Sequence, residues 1–265
     1  MPTILWTTDP HLDHVSPAAR ERFLDVMHHT HGLAAVLTGD TSTAAHLTAD
    51  LEAIAGAAAR PVYYVLGNHD HYGADIGAVR DAVVALAQRR PEIQWLPPAG
   101  VVVLEEGLAL IGVDGWADGR YGDALTTPLR LNDDRLIGEL ATQSTRAARL
   151  VIKRSLADAD AARLGTLLER AAAIAHRILV ATHVPPFVEA LPRSGPLSRP
   201  AWQPLLVCGA TGTVLRDFAS NHPDHRIVVL AGHTHAGVDV TILPNLRCVV
   251  GGTRYGSPGV VSFTA

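Results

Sequence analysis

The sequence predicts an α/β fold on the basis of three observations. Short apolar runs rich in β-branched residues alternate with segments whose apolar positions recur at helical spacing, a pattern typical of layered α/β domains. The chain has 265 residues, 48% of them hydrophobic, enough to bury a large core in one domain spanning 1–265. Side chains that commonly bind metal ions follow several of the apolar runs.

The first third of the chain carries three strand signals and two helix signals. Each strand run is short and bounded by turn-forming residues, whereas the intervening segments have helical periodicity. Ser16, and Ser42 or Thr43, are the expected N-caps because their side-chain oxygens can accept hydrogen bonds from free backbone N–H groups. The strands are predicted at 3–8, 34–38 and 62–66, and the helices at 17–29 and 44–59.

The rest of the chain repeats the strand signal, with two irregular regions. Residues 115–130 (GWADGRYGDALTTPLR) have the composition of a loop, and the high proline content of 185–204 disfavours regular structure. Loops beside strand ends commonly shape substrate pockets, so both are expected to set specificity. Strands are predicted at 101–104, 108–113, 178–181, 227–231, 238–243 and 247–250, and a long helix at 158–177.

Composition restricts the class of protein. The formal net charge of -4 provides no global attraction for a polyanion, so polymeric nucleic acid is not an expected partner. Cys208 and Cys248 are the only cysteines, lie far apart and fit no CxxC spacing, which favours apolar core positions in a reducing compartment. Neither a signal peptide nor an apolar stretch of about 18 residues is evident, so we expect a cytoplasmic protein without a membrane span. No oligomeric state is predicted.

Two polar segments carry ligand-like residues two positions apart. In an extended segment such residues point to the same side, so Asp9 and His11 can reach one ion. His233 and His235 in the run GHTH have the same spacing. A strand-end turn with a solvated Asp9 is the alternative for the first pair.

Three further segments place polar residues after apolar runs. Asp40 follows Gly39 and, taken alone, is typical of a turn or helix cap. In GNHD, Asn68 offers a neutral oxygen and His69 an imidazole that the following aspartate could orient. His183 ends another run, where a simple hydrogen-bonded histidine is the alternative.

The ordered series DPH, GD, GNHD, TH before PP, and GHTH resembles the calcineurin-like metallophosphoesterase superfamily across positions 9–235. The resemblance implies a β-sandwich of two sheets flanked by helices, a four-layer α/β/β/α arrangement, with a two-metal site in loops at the strand ends. It also implies a metal-dependent phosphoric ester hydrolase that uses a metal-activated hydroxide. The two ions would be divalent or trivalent manganese, iron, zinc or magnesium, because mixed nitrogen and oxygen ligands suit all of them.

The resemblance also implies a role for each matching residue. His69 would stabilise the transition state or protonate the leaving oxygen, and Asp70 would orient it. Asp40 would bridge the two ions. One ion would be bound by Asp9, His11, Asp40 and His235, and the other by Asp40, Asn68, His183 and His233.

The chain departs from the serine/threonine protein phosphatase branch of that superfamily. Asp40 is followed by TSTA without a DRG run, and GNH is followed by Asp70 rather than glutamate. We therefore expect a small-molecule phosphate ester as substrate, and the resemblance favours a phosphodiester such as a nucleotide or cyclic nucleotide. The alternatives are a phosphomonoesterase acting on a small metabolite, a non-catalytic protein-binding scaffold, and a nuclease, which the acidic charge disfavours.

Residues outside the motifs are candidates for substrate contacts. Arginine can bind a phosphate and tyrosine can stack on a base, although surface salt bridges are the alternative for the arginines. The predicted substrate-binding residues are Asn68, His69, Arg120, Tyr121 and Arg254, with Tyr255 as a neighbouring candidate.

Other polar residues near the motifs are expected to be solvated. His14 and His71 are interpreted as solvated histidines, with a supporting contact to the site as the alternative. A basic run is interpreted as the solvated face of a helix, with a nucleic-acid patch as the alternative, and comprises Arg146, Arg149, Lys153 and Arg154.

Overall fold

The chain forms two β-sheets that pack face to face. The computed structural model describes residues 2–265. The first sheet contains β1 (Thr3–Thr7), β2 (Ala35–Thr38), β3 (Val62–Val65), β4 (Ile93–Trp95) and β11 (Val261–Thr264). Its strand order is β11-β1-β2-β3-β4, with β1 to β4 parallel and β11 antiparallel to β1.

The second sheet has six strands in the order β5-β6-β7-β8-β10-β9. The four central strands are parallel, and both edge strands are antiparallel to their neighbours. The strands are β5 (Val102–Glu105), β6 (Leu108–Gly112), β7 (Arg177–Ala181), β8 (Arg226–Ala231), β9 (Val238–Leu243) and β10 (Leu246–Val250).

Helices cover the outer faces of both sheets. Side chains of α1, α2 and α3 share a buried cluster with the first sheet, and those of α7 and α9 share one with the second. The predicted four-layer α/β/β/α fold is therefore confirmed. The helices are α1 (Pro17–His29), α2 (Leu47–Ala58), α3 (Ile76–Arg89), α4 (Leu96–Ala99), α5 (Asp133–Leu136), α6 (Gly138–Ala141), α7 (Arg146–Ala172), α8 (Gln203–Leu206) and α9 (Gly209–Asn221).

The alternation of side chains along each strand divides the apolar residues between two cores. In β7, Leu179 points between the sheets, whereas Ile178 and Val180 pack under the outer helices. Cys208 and Cys248 are both buried and unpaired within residues 2–265, as core cysteines should be.

Several predicted element boundaries are wrong. The helix predicted at 158–177 is α7, which begins at Arg146 because the Thr145 side chain accepts a hydrogen bond from the backbone N–H of Ala148. Ser16 caps α1 as predicted, but α2 begins only at Leu47. The sequence pattern does not predict α3, α9, β4 or β11.

Among residues 2–265, no helix combines the length and the apolar character that a membrane crossing requires.

We expect Leu179→Ala to lower the free energy of unfolding by about 2 to 5 kcal/mol, because it leaves a cavity between the two sheets. Leu179 is 1% exposed in the inter-sheet core. Chemical denaturation followed by circular dichroism measures the change. Val151→Ala, at a position 68% exposed on α7, is the control and should change stability by less than about 1 kcal/mol. Equal losses in the two variants would contradict this account of the core.

Candidate metal centre

The seven predicted metal-binding side chains lie together at one end of the sandwich. They follow the carboxyl ends of β1, β2 and β3 in the first sheet and of β7 and β8 in the second. Carboxyl ends of parallel strands share one edge of a sheet, so packing the two sheets brings both sets of loops to one place. The seven residues are Asp9, His11, Asp40, Asn68, His183, His233 and His235.

The first group of ligand atoms combines the loops after β1, β2 and β8. The Nε2 atoms of His11 and His235 lie 3.1 Å apart, and His235 Nε2 lies 3.4 Å from Asp9 Oδ1. His11 Nε2 is 3.7 Å from Asp40 Oδ2. Ligand atoms of these four residues lie within 4.8 Å of one another, so they surround a common point.

The second group combines the loops after β2, β3, β7 and β8. Asn68 Oδ1 lies 3.1 Å from His183 Nε2 and 3.0 Å from His233 Nδ1. His183 Nε2 is 3.4 Å from Asp40 Oδ1. Asp40 therefore takes part in both groups, with a different carboxylate oxygen facing each.

Backbone strain is concentrated at these residues. Six non-glycine residues among 2–265 have positive φ, and five of them are Asp9 (47°), His11 (41°), Asp40 (52°), His233 (68°) and His235 (55°). Left-handed backbone at such residues is unfavourable by about 1 to 3 kcal/mol each and persists where the surroundings enforce it. The loops thus hold these side chains in directions that relaxed backbone would not give.

Two glycines allow the loops to approach this closely. A Cβ atom at position 67 would overlap the Asp40 carboxylate, and one at position 232 would overlap Thr8 and Asp9. The glycines of GNHD and GHTH are thus required by close packing against the carboxylates.

The electrostatics keep most of the ligand atoms ready to bind a cation. Burial lowers the pKa of His11 and of His233 to about 4, so both imidazoles are neutral near pH 7. Burial disfavours the charge of Asp40, but His183 and His69 outweigh it and hold the pKa of Asp40 well below its usual value. Burial likewise disfavours protonation of His183, yet Asp40 raises the pKa of His183 to about 10. A cation that binds His183 would therefore displace a proton.

The donor set and its spacing fit a pair of borderline metal ions. Ligands about 2.1 Å from one ion lie roughly 3 to 3.4 Å from each other. The distances between neighbouring ligand atoms given above run from 3.0 to 3.7 Å, close to that range. Imidazole, carboxylate and amide oxygen together suit manganese, iron, zinc or magnesium. The assignment of each residue to an ion stays a prediction.

The orientation of the Asn68 amide is fixed by Asp133, which the sequence pattern does not single out. Asn68 Nδ2 donates to Asp133 Oδ1 at 2.8 Å, which leaves Asn68 Oδ1 facing the two histidines of the second group. Tyr72 also donates to Asp133 Oδ1, at 2.8 Å, and Lys153 Nζ lies 3.2 Å from Asp133 Oδ2. Asp133 and Lys153 are both buried, so this pair is shielded from solvent.

His69 lies beside Asp40 and Tyr72, but Asp70 does not orient it. The backbone N–H of His69 donates to Asp40 Oδ1 at 2.8 Å, and its ring packs 4.2 Å from that of Tyr72. The Asp70 carboxylate instead accepts hydrogen bonds from the backbone N–H groups of Gly67 at 2.7 Å and Ser42 at 3.0 Å. The predicted orienting role of Asp70 is therefore wrong, because its carboxylate ties together the loops after β2 and β3.

Asp114 supports the site and follows the same sequence pattern as the predicted ligands. It comes directly after the apolar run of β6, accepts a hydrogen bond from Leu66 N at 2.8 Å and another from Trp95 Nε1 at 2.8 Å. Its backbone carbonyl accepts from the N–H of His183 at 2.8 Å. A systematic search for polar residues after strand runs would have found it.

A cavity of about 350 Å³ opens beside the two ligand groups. Its wall includes Asp40, Asn68 and His69 from the loops of the first sheet. It also includes His233 and His235 from the loop after β8 of the second sheet. Arg130, Leu197 and Trp202 of the two predicted specificity regions also line the cavity, together with their chain neighbours Leu131, Asn132 and Leu206. Tyr72, Thr234 and Tyr255 from other loops complete the wall.

Three predicted substrate contacts do not lie on this wall. The Arg120 guanidinium is bound by Asp118 at 2.7 Å and by Asp158 at 2.6 Å, so the salt-bridge alternative holds. Tyr121 packs against a small apolar cluster, and Arg254 is exposed. Arg130, Trp202 and Tyr255 lie on the wall instead.

His14 and His71, which flank the motifs, differ in their exposure to solvent. His14 is 53% exposed, in agreement with a solvated side chain. His71 is fully buried beside Trp116, so its predicted solvation is wrong. Burial, aided by Arg80, lowers the pKa of His71 to about 3 and keeps it neutral.

The basic run on α7 is not a solvated face. Arg146 donates to the carbonyl oxygens of Ala124, Thr127 and Leu129, and Lys153 is buried against Asp133. These side chains fix loops beside the cavity, which corrects the predicted role.

Comparisons with known proteins agree on the fold. No protein-family model and no curated protein matches the sequence. A phosphopantetheinyl hydrolase from Mycobacterium tuberculosis superposes over 98% of this chain and 95% of its own, with a TM-score of 0.64 and 16% identity. A dimetal phosphatase from Danio rerio covers 95% and 88% with a TM-score of 0.59 and 13% identity. A Thermus thermophilus protein covers 95% and 89% with a TM-score of 0.56 and 17% identity.

The chain has the same fold as these three solved proteins. The resemblance that the motifs indicate is thus confirmed at the level of the fold, with nearly full coverage of the solved proteins. Because identities of 13 to 17% carry over the fold alone, the chemistry of this chain depends on its own residues.

We expect Asp133→Ala to weaken manganese binding about 10- to 100-fold, because the Asn68 amide loses the acceptor that orients it. Isothermal titration calorimetry and elemental analysis of the dialysed protein measure affinity and stoichiometry. Asp133→Asn keeps an acceptor oxygen and should restore part of the affinity, whereas Tyr72→Phe removes the hydroxyl that donates to Asp133 and also accepts from Asn68 Nδ2 at 3.1 Å. Wild-type affinity in a folded Asp133→Ala variant would contradict the orienting role.

Proposed function

We propose that this chain is a metal-dependent phosphoesterase that hydrolyses a small phosphate ester. The observation that carries the proposal is the position of Asp40, whose two carboxylate oxygens face two separate groups of ligand atoms beside a cavity of about 350 Å³. A cavity of this volume is at the small end of small-molecule sites, which favours a metabolite over a polymer or protein surface.

The two groups of ligand atoms support the following metal-binding roles. Asp9, His11 and His235 would hold one ion and Asn68, His183 and His233 the other, with Asp40 shared. Such a bound pair supplies a water of lowered pKa and binds the phosphate oxygens. The protein residues fix the ligand directions through strained backbone, and Asp9, His11, Asp40 and His183 are buried.

His69 is positioned to act on the leaving group. Its side chain lies on the cavity wall, while its backbone N–H is fixed to Asp40 Oδ1 and its ring is held between His11 and Tyr72 at 4.5 and 4.2 Å. In this place it can donate a proton to the ester oxygen as the bond between phosphorus and that oxygen breaks. The His69 Nδ1 atom has no hydrogen-bond partner within residues 2–265.

A phosphodiester is the favoured substrate, and a phosphomonoester of a small metabolite is the alternative. The cavity extends beyond the ligand groups along Leu197, Trp202 and Leu206, which gives room for an organic substituent on the phosphate. A non-catalytic scaffold is disfavoured because such a protein would have no use for five strained backbone positions at ligand side chains.

We expect Asp40→Ala to lower kcat/KM at least about 1000-fold, because both groups of ligands lose a shared carboxylate. The assay is hydrolysis of bis(p-nitrophenyl) phosphate and of p-nitrophenyl phosphate with added manganese, and the proposal favours the diester. Asp81→Ala, an exposed aspartate on α3, is the matched control and should retain full activity. Turnover that survives both chelation and Asp40→Ala would exclude the proposed mechanism.

We expect His69→Ala to lower kcat about 100- to 10,000-fold while manganese stoichiometry stays at the wild-type value, because His69 would act on the leaving group rather than on the metal. The loss should shrink for esters whose leaving group is a good one, such as p-nitrophenolate, because these need no proton. His14→Ala provides a nearby exposed histidine as control. Unchanged rates for all esters would remove the assignment of His69.

A further inference from the structure

The cavity beside the ligand groups has an aromatic and apolar wall with a single strong cation. The apolar and aromatic surface of this wall comes from Leu131, Trp202, Leu206 and Tyr255. Arg130 is the only arginine or lysine on this wall in the described part of the chain. The wall therefore offers stacking and apolar contacts next to one positive charge.

Arg130 differs from its basic neighbours because nothing in residues 2–265 neutralises it. Arg146 is engaged by three backbone carbonyls, and Lys153 lies between Asp133 and Asp134 at 3.2 and 3.5 Å. Arg130 has no salt bridge or side-chain hydrogen bond within the described residues, although it lines a second, narrow cleft together with Asp134. Its guanidinium is free to bind an anion from the cavity.

The backbone that carries Arg130 is braced. Arg146 Nη2 donates to Leu129 O at 3.0 Å, immediately before Arg130. Thr127 Oγ1 donates to Ala201 O at 2.8 Å, which ties the 115–130 region to the 185–204 region beside Trp202. The arginine and the tryptophan are thus held on one wall by direct contacts between the two loops.

We propose that the group released from the phosphate carries an aromatic or apolar body and a second anionic group, and that Arg130 binds this second anion. The inference rests on the proposed function, because the first phosphate is taken to lie against the predicted metal ligands. Arginine favours phosphate and carboxylate because its planar fork can donate two parallel hydrogen bonds. Trp202 and Tyr255 would contact the body between the two anions.

The test compares ligands that share an aromatic body but carry one or two anionic groups. Phenylphosphonate is paired with 1,4-benzenediphosphonate, and the biphenyl analogues provide a longer span; none of these compounds is hydrolysed. Isothermal titration calorimetry with the manganese-loaded chain gives each affinity. For at least one of the two spacers, benzene or biphenyl, the diphosphonate should bind the wild type at least about tenfold more tightly than the monophosphonate.

Variants test whether Arg130 causes the tighter binding of the diphosphonate. Arg130→Ala should reduce the ratio of the two affinities to below about threefold, and Arg130→Lys should retain part of it. Trp202→Ala should weaken both ligands and leave the ratio unchanged. Arg89→Ala removes an equal charge from α3, where the guanidinium contacts only a carbonyl of its own helix, and should keep the wild-type ratio.

Two results would overturn the inference. The first is equal affinity for one and two anionic groups with both spacers. The second is a ratio of affinities that survives Arg130→Ala; if both ligands lose affinity equally in that variant, Arg130 acts at the first phosphate. Failure of the proposed function is a separate result, namely no hydrolysis of bis(p-nitrophenyl) phosphate by the same manganese-loaded protein.

Discussion

The burial of the Asp40 carboxylate between the loops of two sheets is the constraint on which the site depends. A buried carboxylate is strongly unfavourable unless donors or cations surround it. Here the backbone N–H of His69 donates from the first sheet, and His183 approaches to 3.4 Å from the second. Because the compensating groups come from both sheets, separating the two sets of loops would remove His183 from the buried carboxylate. Sheet packing and site geometry therefore depend on each other.

Carboxylates that do not face the cavity keep these loops rigid. Asp70 accepts hydrogen bonds from the N–H groups of Ser42 and Gly67, and Asp114 accepts from that of Leu66. Buried backbone N–H groups in irregular loops need such acceptors, since no strand partner is available. The satisfied loops can hold positive φ angles that would relax in a mobile segment. Buried aspartates in this protein thus have two roles. Asp40 faces the ligand atoms, whereas Asp70 and Asp114 accept hydrogen bonds from loop N–H groups.

The sequence was sufficient for the fold and for the convergence of seven polar side chains, because each of them lies within a short motif after a strand. It was not sufficient for Asp133, which meets Asn68 from a helix 65 residues further along the chain. Nor does composition reveal that Arg120 is neutralised, since one of its two partners lies on α7. Helix α9 escapes prediction because its glycines and β-branched residues weaken the helical signal. Contacts distant in sequence, rather than local chemistry, account for most of the errors.

The charge distribution implies an order of binding at the proposed site. Without cations, the cavity wall presents the Asp40 carboxylate, with Asp9 behind it, and both keep a lowered pKa despite their burial. A phosphate entering such a site would meet negative charge, and Arg130 alone would hold it only at the far wall. Two bound cations would reverse the sign of the field beside Asp40 while leaving Arg130 unchanged. Affinity for the reacting phosphate should therefore come from the metal ions, and selection among phosphate esters from the loops that carry Arg130 and Trp202.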